Sequence, residues 1–198
     1  MQREFADALA GWEWDVALLQ EVPPWFPEPL AAAAGAAQRN QLTSRNWGLP
    51  IRRAISVRNP DLLKSWGGGC NAILVRGAEI LDHRAQRLRL FPEDRWVHGV
   101  RLADGWVVNV HSQNHPLSFA LADTERAIAA ARSWAAGAPL IFGGDINLKQ
   151  VPAFPGLVHV AGNHVDHLFT DGRAAAGKAK VINRGVLSDH PPVAVTLA

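Results

Sequence analysis

The stretch Leu140-Ile141-Phe142-Gly143-Gly144-Asp145-Ile146-Asn147 constrains the fold more than any other part of the chain. Its first three residues are apolar and uninterrupted, which reads as a strand buried on both faces. The glycines that follow let the backbone turn tightly, or let a ligand come close to the main chain. A carboxylate and a carboxamide come next, and on an extended backbone Asp145 and Asn147 point to the same side. An anion and an amide then share the C-terminal end of a buried strand, where open α/β sheets bind ligands. The same residue types also favour a strand that simply ends in an Asx turn.

The 198 residues suit a single domain, 1–198, with a sizeable core. With 48% hydrophobic residues and mixed charges, the chain is globular and not disordered. No apolar run approaches the roughly 20 residues that span a bilayer, so stable membrane insertion is not expected. The start carries Glu4 and Asp7 where a signal peptide would be apolar. Cys70 is the only cysteine, which forbids an internal disulfide and fits a reducing compartment; a cytoplasmic monomer is expected. The net charge of +2 is small, but its distribution is uneven. Arg39 to Arg101 holds 12 Lys/Arg against 5 Asp/Glu, while the remainder holds 8 against 13. A basic surface there suits an anionic partner, or is an arginine-rich solvated face.

Phe5, Ala8, Leu9 and Trp12 recur at helical spacing, which predicts a helix over Arg3 to Ala10, stopped by Gly11. Trp14 to Glu21 predicts a strand with a continuous apolar middle, buried on both faces, and ended by Pro23-Pro24. Trp25 to Arg39 reads as an alanine-rich helix. Asn40 to Gly69 reads as irregular, with strand content around Ile51 to Val57. Tryptophans and arginines interleave in it, and such pairs can stack bases or contact phosphates. Trp47, Arg52, Arg53 and Trp66 are therefore candidate substrate contacts, although a tryptophan of this kind also plugs a domain edge. Trp14, Trp96, Trp106 and Trp134 read as core. Strands are expected over Asn71 to Val75, near Arg87 to Leu90, over Arg95 to Leu102 and over Trp106 to Val110. Ala103-Asp104-Gly105 between the last two is a hairpin signal. Ser118 to Ala136 predicts a helix, with Gly137 at its C-terminus. Lys149 to Gly156 reads as a loop, Val165 to Phe169 as a strand, and Val193 to Leu197 as the closing strand.

Five of these strands end on, carry or follow polar groups of one kind: Glu21, His111, Asp145 with Asn147, Asp166, and Asp189 with His190. Taken singly, each is an ordinary satisfied residue. Together they are hard oxygen ligands with imidazoles. Oxygen ligands suit Mg²⁺, which takes one or two carboxylates, water and substrate phosphate. They do not suit a structural zinc site, which wants thiolate and imidazole at close spacing.

In their order, Leu18-Leu19-Gln20-Glu21, Asn109-Val110-His111, Gly143-Gly144-Asp145-Ile146-Asn147, Val165-Asp166-His167-Leu168-Phe169 and Leu187-Ser188-Asp189-His190-Pro191-Pro192 resemble the motifs of the endonuclease/exonuclease/phosphatase superfamily. The resemblance spans Trp14 to Leu197. It implies an α+β, deoxyribonuclease I-like fold: a four-layer α/β/β/α sandwich of two mixed β-sheets. It also implies a phosphoesterase that hydrolyses phosphodiester or phosphomonoester bonds with Mg²⁺ or Mn²⁺, nucleic acid being slightly favoured as substrate. Glu21 would be the main metal ligand, with Asp189 near the metal. Asp145 would position or deprotonate the attacking water, and Asn147 would hydrogen-bond the phosphate. His190 would act on the phosphate or as general base, its imidazole held by Asp166. His111 would donate to a phosphate oxygen or protonate the leaving group. Glu93 stands where it can pair with His111 or remain a surface acid. Proteins of this family open with a strand carrying an Asn ahead of the first helix. That strand is not seen before Arg3, so an N-terminally incomplete domain is expected. The competing expectation is a non-catalytic remnant that binds phosphate-bearing ligands.

Overall fold

The computed structural model describes residues 2–43, 69–183, 185 and 187–198. Helix α1 (Gln2–Gly11) is followed by β1 (Val16–Val22), α2 (Pro27–Ala33), β2 (Ala36–Leu42) and β3 (Cys70–Arg76). Next come β4 (Asp82–Arg89), β5 (Arg95–Leu102), β6 (Gly105–His111) and the long helix α3 (Leu117–Ala135). The chain finishes with β7 (Leu140–Asp145), β8 (Val158–Asn163), β9 (Asp166–Thr170), β10 (Lys180–Val181) and β11 (Val193–Ala194). One sheet has the order β1-β3-β2 and a larger one β4-β5-β6-β7-β9-β8, while β10 and β11 form a short ribbon.

Alternation along the strands sorts the side chains into layers. Cys70, Ala72 and Leu74 of β3 pack with Leu9, Phe26 and Leu30 under helices α1 and α2. Ile73 and Val75 face the other way and meet Val100 and Val107 of the large sheet. Trp106, Val108 and Phe142 point to the far side, against Ala127, Ile128 and Ala131 of α3. The sequence of layers is helices, small sheet, large sheet, helix, as the resemblance implies. The large sheet is mixed, because α3 carries the chain from β6 to a parallel β7. The small sheet is antiparallel throughout its three described strands, not mixed. No helix among the described residues is long and apolar enough to cross a membrane.

Several expectations are corrected. The helix read over Trp25 to Arg39 is only α2: Gly35 sits in the left-handed region at φ 64°, and the chain turns back as β2. β2 then pairs with β3 without a break from Ala36↔Arg76 to Leu42↔Cys70, and this ladder overrides its low strand propensity. β8 had no counterpart in the sequence reading. The closing strand shrinks to β11, with Leu197 making an isolated bridge to Ala176. β1 is not buried on both faces: Val16 to Gln20 are half-buried, because β1 is the edge of its sheet and borders a cleft. Trp106 is buried, and Trp14 and Trp134 pack partly buried against the cores. Trp96 is half-buried beneath the Arg87 guanidinium, 4.8 Å from its ring centroid. The strand expected over Ile51 to Val57 lies outside the described residues.

Helix α3 is pinned beside the functional end of β6 by Asp123, whose side chain is wholly buried. Its carboxylate accepts from Arg89 Nε at 3.0 and 3.2 Å, from Arg126 Nη1 at 3.2 Å and from the Gln113 backbone N–H at 3.3 Å. Removing one partner of such a pair strands a charge in the interior, at a cost of about 3–5 kcal/mol. Asp123→Ala should therefore lower the urea midpoint by an amount equivalent to that cost, measured by equilibrium unfolding.

Candidate active site

Register brings the polar residues together. His111 pairs with Asp145 across the parallel β6–β7 ladder, and Asp145 pairs with Asp166 across the antiparallel β7–β9 ladder. Residues in one such row share a face of the sheet. That face looks toward the small sheet, because Ile141, four residues before Asp145 in the same alternation, packs there. Glu21 arrives from β1. The pairing of β1 with β3 slips between Leu19 and Val22, and Glu21 takes φ 53°, a left-handed value for a non-glycine residue. This bulge turns its carboxylate toward the large sheet. His190 comes from the loop before β11.

These groups line one end of a cleft of about 580 Å³ that also holds Asn147 and Asp189. Phe5, Leu9 and Trp12 of the α1 segment line its apolar part. His111 Nε2 lies 3.6 Å from Asp145 Oδ2, and His190 Nδ1 lies 3.3 Å from Asp166 Oδ2. His190 Nε2 is 3.9 Å from Asp189 Oδ2, whose side chain is 92% exposed. The segment after β7 does not stay extended: Asn147 has φ 56°, and its backbone N–H donates to Asp145 Oδ1 at 2.9 Å. The Asx turn is real, and it lies inside the cleft. The Asn147 carboxamide donates one hydrogen to Ser112 O at 2.8 Å, leaving its second hydrogen for a ligand.

Sequence reasoning missed Arg95. This guanidinium is buried, pairs with Glu93 through Nη2, and donates from Nη1 to His111 Nδ1 at 2.8 Å and to Glu21 Oε1 at 3.4 Å. A guanidinium has no acceptor, so His111 Nδ1 must accept and the ring proton sits on Nε2, facing Asp145. Glu93 is linked to His111 through Arg95. The available signal was weak: an arginine opening an alternating strand.

Burial shapes the titration of the row. It pushes Asp145 up to about 7, reinforced by the neighbouring Asp166 charge. Asp166 is raised as well, first by burial. Burial, then the Arg95 charge, holds His111 well below an ordinary histidine. Asp166 Oδ2 is buried and makes no aligned hydrogen bond. Asp145, Asp166 and His190 each offer a ligand atom, and these atoms lie within 4.8 Å of one another. Adjacent raised carboxylates beside an imidazole fit a hard divalent cation. Glu21 stands beyond the His111 ring, 3.7 Å from Nδ1, and is not one of that tight trio. Trp47, Arg52, Arg53 and Trp66 lie outside the described residues.

No protein-family model and no curated protein matches the chain. Solved structures match over its full length. An endonuclease/exonuclease/phosphatase from Bacteroides vulgatus aligns with TM-score 0.75 at 14% identity, covering 100% of this chain and 89% of that one. A mannosyl-6-phosphatase from Bacteroides thetaiotaomicron aligns with TM-score 0.70 at 15% identity, covering 100% and 90%. A truncated TDP2 from Caenorhabditis elegans aligns with TM-score 0.68 at 16% identity, covering 99% and 90%. The chain has the endonuclease/exonuclease/phosphatase fold. At such identities the shared property is this deoxyribonuclease I-like fold, and the chemistry has to come from the side chains themselves.

The raised carboxyl of Asp145 makes metal-free stability depend on pH. The folded state keeps this proton to higher pH than the unfolded chain, whose carboxyl titrates near 3.8. Stability is thus fully present below that value and falls as pH rises toward 7, at most by about 1.4 kcal/mol per pH unit. In chelator, Asp145→Asn should be more stable than wild type at pH 8, and the two should converge near pH 4. Urea unfolding at both pH values measures this.

Proposed function

We propose that this chain is a divalent-metal-dependent phosphoesterase that hydrolyses phosphodiester or phosphomonoester bonds by in-line attack of water. The observation that carries the reading is the convergence of Asp145, Asp166 and His190 in one cleft with Glu21, His111 and Asn147. The names of the structural neighbours, a phosphatase among them, support phosphate esters as the substrate class.

Asp145, Asp166 and His190, with Glu21 nearby, are the residues that would hold Mg²⁺ or Mn²⁺. Such an ion supplies Lewis-acid polarisation of a phosphate oxygen. The remaining steps belong to the side chains. Either Asp145 takes the proton of the attacking water, or His190 leaves the ion to the carboxylates and takes that proton through Nε2, with Nδ1 turned to Asp166. His111, neutral and protonated on Nε2, donates to a phosphate oxygen, a role that needs no charged imidazole. The buried, neutral imidazole favours the first of the two roles expected for His111. The second carboxamide hydrogen of Asn147 serves the same phosphate. Arg95 brings positive charge to the floor of the cleft, where negative charge develops on the phosphate.

Nucleic acid is slightly favoured as substrate by the excess of Lys/Arg between Arg39 and Arg101. The protein works as a monomer in this reading. Asp145→Ala and His190→Ala should each lower Mg²⁺-dependent hydrolysis by between about a hundredfold and ten-thousandfold. The assay uses single-stranded, duplex and abasic DNA, RNA and small phosphate esters, each with Mg²⁺ and with chelator. Wild-type turnover in either variant, or equal turnover in chelator, refutes the assignment.

A further inference from the structure

Glu21 owes its place to a backbone conformation that L-residues avoid, so something must hold it there. The surroundings of the bulge show what does. Asn109 of β6 is fully buried and reaches from the large sheet into the small one. Its Nδ2 donates to Leu19 O of β1 and to Ala72 O of β3, both at 3.0 Å. Leu19 and Ala72 are the last regular partners before the β1–β3 register slips. The carboxamide therefore bridges the two strands at the point where their ladder gives way. Its Oδ1 accepts from Gln20 Nε2 at 2.7 Å, and Gln20 is the residue next to Glu21.

Gly144 is shaped to the same pair. A Cβ at this position would lie 2.1 Å from Val110 O, 2.9 Å from Asn109 Oδ1 and 3.1 Å from Gln20 Nε2. The glycine before Asp145 thus leaves room for the Val110 carbonyl and for this polar pair.

We propose that Asn109 and Gln20 form a positioning pair that holds the β1 bulge and so aims Glu21 into the cleft. Asn109 bridges Leu19 O and Ala72 O across the seam between the sheets. Gln20 orients that bridge, since its N–H fixes which end of the Asn109 carboxamide faces the carbonyls. The consequence for metal binding rests on the phosphoesterase reading; the consequence for the Glu21 backbone does not.

The test follows both. Asn109→Leu strands two buried carbonyls and can fail to fold, so the decisive variant is Gln20→Met, which keeps the volume of a half-buried side chain and removes its donor. In metal-free wild type, the HN–Hα coupling and Cα shift of Glu21 should report a left-handed residue. In Gln20→Met they should move toward extended values, while unfolding stays cooperative with a lowered urea midpoint, because the buried Asn109 Oδ1 loses its donor. Mn²⁺ affinity by calorimetry should fall about tenfold or more, as when outer partners of metal ligands are lost. A left-handed Glu21 persisting in Gln20→Met overturns the proposal, as does an extended Glu21 in wild type. A displaced Glu21 with unchanged Mn²⁺ affinity upholds the positioning pair and removes Glu21 from the metal site.

Discussion

His111, Asp145, Asp166 and Asn163 are successive partners in one row across β6, β7, β9 and β8. Side chains in such a row point the same way and stand about 5 Å apart. Their period along each strand is two, so a slip of one residue in any pairing would send an acid to the α3 side of the sheet. What fixes the register therefore fixes the chemistry. Part of that fixing is apolar: Phe142 and Phe169 are cross-strand partners, both buried, with ring centroids 6.1 Å apart. Part is steric. A Cβ on Gly143 would lie 2.7 Å from His167 O and 2.4 Å from Leu168 Cδ2, so only glycine lets β9 pack this way along β7.

The same row sets an electrostatic problem. Asp145 is buried and Asp166 half-buried, and the two are both raised and adjacent. Neither can ionise freely while the other is charged. On the other side of His111 the order of charge is reversed: the Arg95 guanidinium is clasped by Glu93 and Glu21. His111 stands between an acid pair short of positive charge and a buried cation. Because Arg95 can only donate, that position dictates the tautomer of the ring, whichever acid faces it.

How far the sequence reveals this depends on whether a residue's role is local. The strand at Leu140, the Asp-Gly turn at Gly105 and helix α3 were legible because periodicity and turn chemistry are properties of a few consecutive residues. β2 was not, since Ala36 to Leu42 form a strand only because β3 lies alongside. β8 was hidden in the same way, its pairing with β9 carrying an irregularity between His159 and Ala161. The polar strand ends were legible as a set, through a resemblance spread along the whole chain. Arg95, Asn109 and the reason for Gly144 were not, because each is defined by partners on other strands. Trp96 misled because aromatic character in an alternating strand does not say which face is covered.

The site straddles a seam. Glu21 and Gln20 belong to the small sheet, and the row from His111 to Asp166 belongs to the large one. Relative placement of the two halves rests on the contact of Ile73 and Val75 with Val100 and Val107, which is apolar and therefore without directional preference. Apolar contact can hold two sheets at a distance, but it tolerates small sliding. Directional bonds do not, and the seam carries them close to the chemistry, from Asn109 to Leu19 O and Ala72 O and from Gln20 to Asn109. Away from the cleft an unpaired carboxamide between sheets would only cost stability. Placed here and fully paired, it fixes the spacing between an acid on one sheet and the acids on the other, to the tolerance a hydrogen bond allows and hydrophobic packing alone does not.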